Sequence, residues 1–231
     1  MNKTLLNIIS SREDISDYLF HFATGSKGNE TLDKIIESQS IKDIKNKGCI
    51  CLTEAPITLL TGMFGIFNKY YDPMYAQYGI AIKKDVLFNL GARPVIYGTI
   101  NEKNQLGESL KWRFEEYIPH LKDYSWLREW RINEKEIKLD SNNCFIITKT
   151  KEELYKIVFS ADKIIDVELD GCVADGQFWG SATGIFERAF KGISFEDLEE
   201  LNELTKAELD KLLEAQSLDD TTERGLGGFL I

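Results

Sequence analysis

Two hydrophobic periods alternate along the chain, and each change of period marks an element. Tyr18 to Ala23 is an apolar run broken only by His21, which predicts a short buried strand ending in the polar loop Thr24-Gly25-Ser26-Lys27-Gly28-Asn29. Leu32, Ile35 and Ile36 fall at helical spacing within 30–38, and a helix is also predicted over 4–17. A second strand, Gly48 to Thr53, ends at Glu54-Ala55-Pro56, because proline removes a ladder donor and restricts the residue before it. Leu59, Leu60, Met63, Phe64 and Phe67 give a helix over 57–71 in spite of Gly62 and Gly65. Further strands are predicted at 78–82, 94–98, 126–132, 143–148 and 163–168. A short helix or turn covers 83–89, a helix covers 151–159, and the charged, aromatic stretch 101–124 is partly helical. Strands outnumber the long helices between them, so the expected fold class is α+β rather than a doubly wound parallel sheet.

The C-terminal part differs. Ser194-x-x-Asp197 and Thr205-x-x-Glu208 both match helix-start patterns, and Leu209, Leu212 and Leu213 follow the second on one face. Residues 194–231 carry 11 acidic and three basic residues, a balance of −8 that leaves only −2 of the net −10 for the first 193. The division expected is therefore a catalytic or binding domain over 1–193 and an acidic helical appendage over 194–231, ending in a glycine-loosened apolar tail.

With 43% hydrophobic and 29% charged residues, the chain has the composition of a folded globular protein. No apolar run approaches the roughly 18–20 residues that cross a bilayer, and Met1 to Ser10 lacks a signal-peptide core, so a cytoplasmic protein without a membrane partner is expected. Cys49, Cys51, Cys144 and Cys172 have neither C-x-x-C spacing nor a histidine cluster, so they read as reduced thiols and no metal site is expected. The near-neutral body leaves a nucleic-acid partner open.

Glu129-Trp130-Arg131 is the most informative tripeptide. In a strand its carboxylate and guanidinium project from one face, and the surrounding segment places charge between tryptophans at 126 and 130. A cross-face ion pair with Trp130 in the core and a site are equally compatible with that pattern. Elsewhere, His120 has no evident serine or carboxylate partner, and Gly62-x-x-Gly65 lacks the Lys-Ser or Lys-Thr of a phosphate loop. Asp162, Asp166, Glu168, Asp170 and Asp175 are dense enough for a nuclease metal cluster but read as solvated strand edges.

His-Phe-x-Thr-Gly at 21–25, Cys-x-Thr-Glu-x-Pro at 51–56, Tyr-Gly-Ile at 78–80, Pro-Val-Ile-Tyr at 94–97 and Glu-Trp-Arg at 129–131 follow one another in a familiar order. In that order the chain resembles the AbiGi-like abortive-infection proteins and, more loosely, the ADP-ribosyltransferase toxins that include the DarT and CmdT groups. The resemblance implies an ADP-ribosyltransferase-like split mixed β-sheet with NAD as co-substrate. It also implies a toxin, as in toxin–antitoxin or antiviral defence systems, that modifies nucleic acid (DNA or RNA) or protein and answers to an antitoxin or chaperone. Under it, His21, Phe22, Thr24, Gly25 and Thr53 bind cofactor, Glu129 is catalytic, and Arg131 pairs with the pyrophosphate. Tyr70, Tyr71 and Phe64 are candidates to stack on nicotinamide. One departure is plain: no glycine follows His21 as in the His-Gly-Thr form. A non-catalytic sensor or regulator on the same fold is the alternative.

Overall fold

In this computed structural model the described residues are 16–44, 46–161, 163–174, 177–187, 189–205, 207–208 and 221–225. The expected helix over 4–17, apart from its last two residues, the leucines after Glu208 and the tail after Gly225 lie outside them. The elements in chain order are β1 Tyr18–Phe22, α1 Gly28–Ser38, β2 Ser40–Lys42, β3 Ile50–Thr53, α2 Ile57–Phe67, β4 Gly79–Lys83 and α3 Lys84–Asn89. Then follow β5 Arg93–Pro94, β6 Ile96–Gly98, α4 Ile100–Gln105, β7 Phe114–Glu116, β8 Glu129–Ile132, β9 Glu136–Lys138, β10 Cys144–Thr148 and α5 Lys151–Ala161. The chain continues through β11 Lys163–Ala174, β12 Gln177–Glu187, β13 Lys191–Ser194, α6 Phe195–Glu203 and β14 Thr221–Gly225.

A mixed seven-stranded sheet, ordered β13-β10-β4-β1-β3-β8-β5, carries helices on both faces, so the fold is α+β. Strand alternation divides its side chains between two cores. Leu19, Leu52, Ile80, Trp130 and Ile146 point to one face, where Leu32, Ile35 and Ile36 of α1 and Leu87 of α3 cover them. Tyr18, Phe20, Phe22, Phe145 and Ile147 point to the other, against Leu60 and Phe64 of α2 and Phe195 and Leu198 of α6. That second core is an aromatic cluster: Phe64 lies 4.9 Å from Phe22 and 4.8 Å from Phe195, ring centre to ring centre, in edge-on or tilted contacts.

The expected boundary between 193 and 194 falls inside this packing. Phe195 and Leu198 are buried core residues, and Ser194 caps α6 through a reciprocal Ser194–Asp197 box at 3.0 and 2.8 Å. The helix-start signal was present, but the helix it starts closes the body, because its apolar face has α2 to pack on. Farther on, Thr221–Gly225 pairs with β12 as a strand.

The ladders are uneven around β1. On one side β4 is registered with it over five pairs, from Tyr18 opposite Lys83 to Phe22 opposite Gly79. Gly79 allows this closeness, since a Cβ there would stand 2.4 Å from the His21 carbonyl oxygen. On the other side β3 is registered with β1 at one pair, Phe20 opposite Thr53. Beyond it the two strands part.

Candidate functional site

A cavity of about 630 Å³ opens at this parting, within the range of small-molecule sites. Ile50 and Leu52 point to one face of the sheet and Cys51 and Thr53 to the other, with Glu129 and Arg131, and all of them line the cavity. His21, Phe22 and Thr24 line it as well.

His21 fills part of the gap. Its ring reaches across to the backbone of β3, with Nδ1 at 2.9 Å from the Cys51 carbonyl oxygen. A carbonyl only accepts, so Nδ1 carries the proton and Nε2 is left as an acceptor. Burial holds the His21 pKa below the usual imidazole value, partly offset by the bond to Cys51, so the ring is neutral at pH 7. Phe22 belongs to the aromatic core. Gly25 adopts φ +77°, donates its N–H to Pro73 at 2.9 Å and does not line the cavity; a Cβ there would meet Asp72 at 2.7 Å.

Glu129 opens β8 directly after a tight turn: Ser125–Leu127 is 3₁₀ and Arg128 is left-handed at φ 45°. The expected strand over 126–132 is therefore shorter. Thr53 anchors this turn, its hydroxyl donating to the Leu127 carbonyl and accepting from Ala55 N at 3.1 Å. Register places Thr53 opposite Glu129 and Cys51 opposite Arg131.

Arg131 Nε donates to Glu129 Oε1 at 2.9 Å, and each side chain is only 12% exposed. The guanidinium also donates to Glu115 and, at 2.9 Å, to the Phe114 carbonyl. Burial disfavours the charge, but the bonds to Glu129 and Glu115 outweigh it and hold the Arg131 pKa above its ordinary value. Arg131 is thus committed to protein acceptors and orients Glu129. Both meanings of the tripeptide hold together: an ion pair on one face, lining a cavity, over a buried Trp130 whose Nε1 donates to Glu54 at 2.7 Å. Glu54 also pairs with Lys84 at 2.9 Å, so it ties β3 to α3 as well as ending its strand.

Neighbours respond to the Glu129 charge. Burial and Glu129 push the Tyr75 phenol well above its ordinary pKa, and they push Tyr97 up to about 12. The Cys49 thiol is lowered to about 7, chiefly by a hydrogen bond from Cys51 and also by Arg131.

Tyr75, Tyr124 and Trp112 line the cavity, whereas the expected stacking candidates Tyr70 and Tyr71 do not and are 64% and 93% exposed. Phe64 lines it from within the core. Tyr75 lies in an aperiodic turn after Asp72-Pro73, which hides it from periodicity. Lys42, Lys47, Lys103 and Lys111 also line the cavity, with Asp43 and Glu115 among them; Lys42 pairs with Glu136 at 3.8 Å and Lys111 pairs with Glu108. Among the described residues there is no metal-binding cluster and no helix long and apolar enough to cross a membrane.

Compared with protein-family models, curated proteins and solved structures, the chain matches none of them.

Proposed function

We propose that this chain is an NAD-dependent ADP-ribosyltransferase toxin of a bacterial or phage-defence system, acting in the cytoplasm on an ADP-ribosyltransferase-like split sheet. The observation that carries the reading is the cavity beside β1 and β3, lined both by His21 and by a half-buried Glu129 that Arg131 orients. In this reading the C1′–nitrogen bond of NAD breaks and its electron pair leaves with nicotinamide. Glu129 stabilises the positive charge that develops on the ribose ring, and an acceptor oxygen or nitrogen then bonds to C1′. Neutral His21 accepts a ribose hydroxyl at Nε2, and Tyr75 or Tyr124 offers a ring for nicotinamide.

The phosphates fall to Lys47 and Lys103 of the lysine rim, because the donors of Arg131 are engaged and Lys42 and Lys111 pair with Glu136 and Glu108. The same rim favours a nucleic-acid acceptor over a protein, since clustered lysines attract a polyanion even where the net charge is negative. An antitoxin or chaperone partner belongs to the same proposal.

Purified protein given labelled NAD with separated nucleic-acid and protein fractions tests it. Label should enter the nucleic-acid fraction and be lost with Glu129→Gln. NAD binding without transfer to either fraction would favour a sensor or regulator on this fold.

A further inference from the structure

Strand β11 stands apart from the site. Every described side chain from Lys163 to Val173 is exposed, and β12 pairs with one edge of the strand; among the described residues nothing pairs with the other. Alternation places Asp166, Glu168 and Asp170 on one face and Val167, Leu169 and Val173 on the opposite one. Val167 and Leu169 are open because their cross-strand neighbours are small: Val167 faces Gly184 and Leu169 faces Ala182, leaving them 42% and 65% exposed, and Val173, registered with Phe178, is 73% exposed. None of the three carboxylates meets a basic side chain among the described residues.

We propose that the outer edge of β11 is a docking edge for a partner strand in which basic and aliphatic residues alternate. The backbone of a 12-residue strand supplies the ladder, the carboxylate row takes the basic side chains, and the apolar row takes the aliphatic ones. The β11 edge of a second copy does not fit this one as an antiparallel partner. In an antiparallel pair, opposed residues share a face. A register that matches like faces therefore sets carboxylate against carboxylate, and the alternative sets the acidic row beside the apolar one. The carboxylates thus oppose self-pairing and select for positive charge. This inference stands independently of the transferase reading.

The test uses the full chain and two labelled seven-residue peptides of the same composition, one alternating lysine and valine, the other with the two types in separate blocks. Fluorescence anisotropy at physiological salt should give at least ten-fold tighter binding of the alternating peptide. The exposed double substitution Glu168→Lys with Asp170→Lys should weaken it at least ten-fold, and amide exchange should slow over 163–173. Equal affinity for the two peptides, no response to the double substitution, or protection elsewhere would overturn the proposal. So would a peptide-free dimer protected along β11.

Discussion

The two flanks of β1 use similar strands to opposite ends. Toward β4 the ladder is complete over five pairs, and the side chains over it are Leu19, Phe20, Ile80, Ala81 and Ile82, all buried. Toward β3 the ladder is reduced to one pair, and the positions around the gap hold His21, Cys51, Thr53, Glu129 and Arg131. Where backbone groups satisfy one another, the sheet can be apolar throughout. Where they part, side chains must take over the hydrogen bonding, as His21 does for the Cys51 carbonyl. Beside β1 the polar side chains gather at the interrupted flank, where open backbone groups such as the Cys51 carbonyl give them partners.

The largest effect should come from breaking the closed flank. Phe195 is 1% exposed and packs on Phe64 and Phe22, so Phe195→Ala should cost about 3–5 kcal/mol of stability through lost burial and a cavity. Urea denaturation measures it. A loss under about 1 kcal/mol would mean that α6 is not part of the core and would restore a boundary at 193/194.

On the interrupted flank the effect should fall on rate instead. Glu129→Gln is nearly isosteric, and Arg131 retains Glu115 as a partner, so the protein should stay folded. If the carboxylate supplies about 3–4 kcal/mol to the transition state, transfer should fall by roughly two to three orders of magnitude. Near-wild-type transfer by a folded Glu129→Gln protein would remove the carboxylate from the chemistry.

The closed flank was the more legible in sequence. Continuous apolar runs at 18–23, 78–82 and 143–148 predict β1, β4 and β10, because a strand buried on both faces has little choice of residue. Strand β12 escaped because Gly180, Ser181, Ala182, Thr183 and Gly184 give no two-residue hydrophobic period. The shared face of Glu129 and Arg131 follows from alternation alone. What Arg131 does with that face does not, since Glu115 and the Phe114 carbonyl reach it from a segment 16 and 17 residues away in sequence. Thr53 was likewise singled out in the sequence, but its role in holding the Glu129 turn depends on a contact 74 residues distant.

A smaller loss should follow from Thr53→Val, which keeps the shape but leaves the Leu127 carbonyl and Ala55 N–H without the hydroxyl between them. Stripping one partner from buried polar groups costs about 1–3 kcal/mol. Because the turn presents Glu129, transfer should fall by more than the fraction unfolded explains. Comparing activity per folded molecule with thermal stability separates the two effects, and a pure stability loss would reduce Thr53 to a structural residue.

The smallest effect expected is the pH dependence carried by His21. Burial lowers its pKa in the folded chain, so on acidification the unfolded chain takes up the imidazole proton first. Its contribution to stability is complete above the ordinary imidazole value near 6.5 and is lost as the pH falls toward the depressed folded value. One proton limits the slope to about 1.4 kcal/mol per pH unit. His21→Asn keeps a side-chain donor for the Cys51 carbonyl and removes the titration, so its stability between about pH 6.5 and 5 should decline less steeply than that of the unaltered chain. NAD affinity sharpens the comparison: protonation removes the Nε2 acceptor, so affinity should drop over the same acid range in the unaltered protein and stay flat in His21→Asn. Parallel stability and affinity curves for the two proteins would make His21 a filler of the gap between β1 and β3 with no part in binding.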